Sequence, residues 1–149
     1  MNHGFITDDC KISSAITPTA GAAGTSDITA SIIDMAGFEG VLMAVRFGAI
    51  AAGAVTSIRA QQGAASDLSD AADLEGSGQV IADTDDDKLF YIDIVRPSKR
   101  YLRLFVDRGT QNAVVAAAQY IQYGATNKKI SQGANVAGEQ FMSPAEGVA

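Results

Sequence analysis

Across residues 41–47 the side chains alternate, with Val41, Met43, Val45 and Phe47 on one face and Arg46 on the other. That period of two is the repeat of a β-strand with one buried face, and it is incompatible with a helix's 3.6-residue stripe. The same rhythm returns at residues 89–95, where Phe90, Ile92 and Ile94 turn inward, and at 100–107 with Leu102, Leu104 and Val106. Ile28, Ala30 and Ile32 alternate with Thr29 and Ser31, residues 55–62 form a strand centred on Ile58, and residues 79–82 form a short one.

Between these runs lie turn formers. Residues 48–53 are small, and 63–78 are polar and rich in Gly and Asp, with a short helical turn expected to open at Ser66. Residues 83–88 read as a turn, and Pro97 presets the second position of a tight connection over 96–99. Strands 89–95 and 100–107 are expected to pair with each other as a hairpin. Residues 112–123 fit two periods. The alanine run favours a helix, whereas the strand spacing elsewhere favours a strand with Val115, Ala117, Ile121 and Tyr123 on one face. Six or seven strands with short turns predict an all-β fold, an antiparallel β-sandwich or jelly-roll-like barrel.

The ends differ from the middle. Residues 1–26 read as an extended N-terminal arm, because the stretch 17–25 breaks any helix and Phe5, Ile6, Ile12 and Ile16 are irregularly spaced. The β domain spans 27–125. An irregular C-terminal tail, 126–149, carries Phe141 and Met142 as isolated anchors. Apolar residues make up 47% of the 149, but aromatics only 7%, and Trp is absent. Small side chains bury little area each, at roughly 25 cal/mol per Å², so the core is expected to be thin and partners to supply part of the stability.

The net charge of −6 argues against nucleic acid, which needs a clustered cationic excess. Charge is segregated along the chain. Residues 66–95 hold nine carboxylates and only Lys88 as a cation, whereas 96–108 hold Arg96, Lys99, Arg100, Arg103 and Arg108 against Asp107. Opposite patches suit head-to-tail contacts between identical copies; solvated surface is the plainer alternative. Arg100 and Arg103 flank Tyr101, a composition favoured at protein interfaces. No run reaches the roughly 20 apolar residues of a membrane-spanning helix. The N-terminus lacks a basic start followed by an apolar run, so a soluble protein made in a cytoplasm is expected.

Catalytic chemistry finds little purchase. His3 is the single histidine and falls in the arm, whereas a catalytic base must be held rigidly. One Cys and one His do not make a zinc site, and Cys10 has no intrachain disulfide partner. The cluster Asp83, Asp85, Asp86 and Asp87 could offer oxygen to Ca²⁺. The EF-hand positions for Gly and Glu nevertheless hold Lys88 and Ile94, and a solvated turn is the alternative. The glycine-rich stretches lack the Lys-Ser/Thr ending of a phosphate loop. No enzyme activity, cofactor, metal, membrane or small-molecule substrate is expected.

Four runs carry a resemblance. They are residues 33–42 (IDMAGFEGVL), 82–88 with 93–101 (ADTDDDK and DIVRPSKRY), 108–115 (RGTQNAVV) and 121–124 (IQYG), followed by 143–147 (SPAEG). Together they resemble the capsid decoration, or cement, proteins of tailed bacteriophages and prophages. The resemblance implies a β-sandwich-like or barrel-like subunit, commonly a trimer, on the outer capsid surface of the virion. There it clamps neighbouring major capsid proteins against internal DNA pressure. It transfers no functional residue. On the arm and tail, Phe5, Ile6, Ile12, Ile16, Lys128, Lys129 and Ile130 are candidates for capsid contact, and Arg100, Tyr101 and Arg103 for a capsid or subunit interface. Another phage structural role (tail tube, connector or fibre base) and a carbohydrate-binding or Ca²⁺-dependent β domain stand as alternatives.

Overall fold

The computed structural model describes residues 4–143 and 145–148; His3, and Pro144 in the tail, lie outside the described residues. After a 3₁₀ turn at Ile6–Asp8 the strands are β1 (Lys11–Ile16), β2 (Ile28–Thr29), β3 (Ile33–Asp34), β4 (Gly40–Ile50), β5 (Val55–Gly63), β6 (Ala72–Asp73), β7 (Gln79–Ile81), β8 (Leu89–Val95), β9 (Tyr101–Gly109) and β10 (Ala113–Tyr123). They form two antiparallel sheets packed face to face. The first runs β1-β10-β4-β8, and the second β2-β9-β5-β6 with β3 also on β9 and β7 also on β5. The fold is an open sandwich; the sheets do not close into a barrel.

Alternation places the core as expected. Val41, Met43, Val45 and Phe47 from β4 meet Ile58, Leu102, Leu104 and Val106 from β5 and β9, all without solvent exposure. Phe90 sets its ring edge against Phe47 at 5.8 Å, an arrangement the aromatic quadrupole favours.

Four expectations change, each for a physical reason. Residues 89–95 and 100–107 form no hairpin: β8 pairs with β4 and β9 with β5, in different sheets. Alternation says which side of a strand is buried, not which strand lies beside it. The connection crosses the sandwich, helped by the left-handed conformation of Arg96. In 28–34 the inward phase slips. Ile28 and Ala30 are buried, but Ile33 replaces Ile32, because the chain leaves β9 at Ser31, whose N–H donates to the Ala15 carbonyl. Residues 113–123 are a strand, yet bulges around Val115 put Val115, Ala118, Tyr120 and Gln122 inward while Ala117, Ile121 and Tyr123 face out. Ser66 opens no helical turn; turns at 65–68 and 68–71 are held by Asp70 accepting from the Ala64 and Ala65 N–H groups.

The arm is not free either. Lys11–Ile16 is an edge strand on β10, Ile16 is core, and the following loop returns to β10, with the Val115 N–H donating to the Gly21 carbonyl. Arg108, buried at the sandwich mouth, fastens that loop by donating to the carbonyls of Ala22, Ser26 and Ala113 at 2.7–2.8 Å.

The gap between β2 and β3 leaves the Leu104 N–H of β9 without a strand partner. Tyr120, reaching across from β10, accepts that N–H at 2.8 Å and donates its hydroxyl to the Ser31 carbonyl at 2.8 Å. Burial pushes its phenol well above the ordinary range, so it stays a neutral donor. Beside it the Gln122 amide donates to the Asp34 carbonyl. Replacing Tyr120 by Phe keeps the ring and strands both main-chain groups, so a loss of roughly 1–3 kcal/mol is expected. Urea denaturation measures it, and an unchanged midpoint would refute the role assigned to the hydroxyl.

Candidate docking face

The outer faces of the two sheets are chemically opposite. On the second sheet, outward side chains satisfy one another. Arg59 lies over the Phe105 ring at 4.2 Å, donates to Asp73 at 2.9 Å and pairs with Asp107. Gln61 donates to Asp73 and accepts from Arg103 Nε at 2.8 Å. Arg100 grips Asp34 through two 2.8 Å bonds and sits 5.3 Å from the Tyr101 ring centre. Arg100, Tyr101 and Arg103 therefore share one face, already engaged within the chain.

The outer face of the first sheet mixes small and apolar residues with the polar Ser14, Arg46, Asp93 and Gln119. Cross-strand register aligns Ile12, Ile121, Leu42 and Asp93 in one row and Ser14, Gln119, Ala44 and Tyr91 in the next. Arg46 and Leu89 stand opposite each other further along. Asp93 accepts the Tyr123 hydroxyl at 2.7 Å. The tyrosine reaches it only by lying across Gly40, where a Cβ would come within 2.4 Å of its ring. Burial and the neighbouring Asp93 push the Tyr123 phenol up to about 12, so this bond persists at any ordinary pH. Leu89, Tyr91 and Val95 on the β8 margin retain 60%, 64% and 60% of their exposure. Large apolar side chains adjoining on one face mark a surface that binds something.

The terminal candidates gather at the other margin. Phe5, Ile6, Lys128 and Lys129 line a cleft of about 360 Å³, and Ile12 and Ile130 line a neighbouring one of about 320 Å³. Both clefts are walled by this chain's own tail. The side chain of Gln132 substitutes for a missing strand, accepting the Ile12 N–H at 2.9 Å and donating to the Cys10 carbonyl at 2.8 Å. Lys128 pairs with Asp9, and the Lys129 N–H donates to the Asp8 carbonyl at 2.7 Å. The segments read as capsid anchors thus have a partner in each other, a relation that no local pattern in either signals. Ile16 is not among them, being core.

The acidic turn is likewise used up locally. Asp86 accepts the Ile50 N–H at 2.7 Å, Asp83 the Gly53 N–H at 2.8 Å, and Asp85 the Ala82 N–H while pairing with Lys88. Their oxygens diverge towards different loops, and no group of three or more potential metal ligands occurs among the described residues.

Two expectations follow. Gln132→Ala should cost about 1 kcal/mol and speed amide exchange at Ile12, with no change at β5 or β9; equal exchange would show the tail does not cover β1. Asp9, Asp34, Asp73 and Asp85 are held below the ordinary 3.8, chiefly by hydrogen bonds from Lys128, Arg100, Gln61 and Lys88. The unfolded chain therefore takes up protons first as pH falls. This stabilisation is complete above about pH 4 and lost below it, so the melting temperature should hold between pH 7 and 5 and drop towards pH 3. A flat profile would contradict the pairings. No family model, curated protein or solved structure matches the chain.

Proposed function

We propose that this protein is a non-enzymatic virion component that coats the outside of a phage capsid and cements neighbouring major capsid proteins. The observation that carries the adhesive part is the contrast between the sheets. One outer face closes on itself through ion pairs, while the other offers exposed Leu89, Tyr91 and Val95 with half-buried Leu42 beside them. The sequence resemblance supplies the capsid as the surface bound. Contacts of modest strength, repeated by many copies, hold capsomers together through avidity without one strong site.

The face also suits a target that must be recognised in its mature form. Strand geometry fixes its rows at the roughly 5 Å spacing of a sheet, so binding requires a complementary flat apolar area. Expanded capsid shells, co-sedimented with purified protein, test the reading. Leu42→Lys places a cation in the row beside Asp93 and should weaken capsid binding about tenfold or more without unfolding the domain. Arg103→Ala, on the opposite face, should leave it within a factor of two. No binding of the native chain to expanded shells would end the proposal, and equal losses in both variants would end the choice of face.

A further inference from the structure

A sheet edge is a row of unpaired main-chain groups, and folded proteins block such edges with bulges, short strands or a covering segment. Three of the four edges here are blocked. Strand β1 is bulged between Ser14 and Ile16 and capped by Gln132. At one edge of the second sheet β2 and β3 have two residues each, and at the other β6 and β7 have two and three. Strand β8 is different: seven residues, without bulge or proline, and with Leu89, Tyr91 and Val95 exposed.

The hydrogen-bond phase shows which groups that edge offers. The Lys88 carbonyl accepts from the Phe47 N–H and the Arg96 N–H donates to the Glu39 carbonyl, so even-numbered residues face β4. In an antiparallel ladder the odd-numbered ones then face away. The N–H and C=O groups of Leu89, Tyr91, Asp93 and Val95 point to the open side, where the Gln79 amide covers the Tyr91 carbonyl alone. An open groove of about 540 Å³ runs beside residues 92–98, between them and the loop at Leu74–Ser77.

We propose that β8 pairs antiparallel with β8 of a second copy about a two-fold axis at Ile92, joining two sheets into one of eight strands. The phase permits few registers, and side-chain chemistry selects among them. An axis at Asp93 would set two carboxylates face to face. The axis at Ile92 sets Leu89 against the partner's Val95 and Tyr91 against the partner's Asp93, with roughly eight main-chain hydrogen bonds. It also lays the turn holding Asp83, Asp86 and Asp87, which enter no ion pair among the described residues, along the partner's 96–100 connection, where Lys99 likewise has none, so charges left over within one chain meet opposites in the other. The like charges nearest the seam, Lys88 and the partner's Arg96, are each already neutralised within their own chain, by Asp85 and by Glu39. The Gln79 amide must swing off the Tyr91 carbonyl as the strands meet. The resulting association is two-fold, in place of the trimer that the family resemblance implies, and it does not depend on capsid binding.

Light scattering on the full chain, with oxidative cross-linking, tests it. Paired residues across such a ladder lie about 5.5 Å apart at Cα, within disulfide reach. Mixing Tyr91→Cys with Asp93→Cys should give a disulfide-linked dimer, whereas each variant alone should not; the buried Cys10 is common to both. Tyr91→Lys, at an exposed position, should leave the circular dichroism spectrum intact and weaken dimerisation at least tenfold. A native mass of one or three subunits at micromolar concentration would overturn the proposal, as would cross-linking of either single variant with itself. A monomer that coats capsids would overturn only the pairing, and a dimer indifferent to capsids only the proposed function.

Discussion

The Tyr120 hydroxyl holds the two sheets in their relative position. It is carried by β10, the central partner of β1 and β4, and its two hydrogen bonds reach β9 and the break between β2 and β3. Without a donor and acceptor at that point, the chain could not leave β9 at Ser31 and return at Ile33 without burying a bare N–H. A buried unpaired amide costs a large fraction of what a small domain has in reserve. The polar pair Tyr120 and Gln122 therefore allows an edge to be broken, and a broken edge cannot recruit another strand.

A thin core is the second constraint. Ala30, Ala60, Ala113 and Ala118 take interior positions where larger side chains would bury more area. The chain compensates by closing its margins with polar ties: Arg108 on the 22–26 loop, Gln132 along β1, and Arg59 between β6 and β9. Exposed ion pairs add little individually, but they consume the charge on the second sheet's outer face. The first sheet has no comparable network, which is why the two faces of one small sandwich differ so sharply.

Legibility in the sequence followed the range of each interaction. Strand existence and inward faces were readable at β4, β8 and β9, because period-two alternation is local and both neighbours of each residue report it. Partner choice was not, since β8 and β9 each present an apolar face that would serve equally in a hairpin or across the sandwich. Phase failed at the Val115 bulge and at the Ser31 break between β2 and β3, because each is stabilised by what it meets in space, the Gly21 carbonyl and the Tyr120 hydroxyl. For the candidate surfaces, the adjacency of Arg100, Tyr101 and Arg103 is visible in the sequence, but what engages them is not. Their acidic and amide partners Asp34 and Gln61 lie 42 to 66 residues away and leave no local sign. The outward residues Leu42, Leu89, Tyr91 and Val95 leave little local sign for a related reason: alternation marks the opposite, buried set.

Edge protection and face chemistry converge on one strand. Strand β8 borders the open half of the apolar face, and it is also the edge with neither a bulge nor a short length, covered only by the Gln79 amide at the Tyr91 carbonyl. Its N-terminal flank is acidic and its C-terminal flank basic. An antiparallel two-fold reverses the order of flanks, so any such sequence is complementary to itself in that arrangement and to no parallel one. The apolar face of a paired sheet would be twice as wide and continuous across the seam. A surface of that size binds a flat partner with more contacts for the same loss of rotational and translational freedom. On the two proposals, self-pairing at the edge and adhesion through the face would be two uses of the same strand, one through its main chain and the other through its side chains.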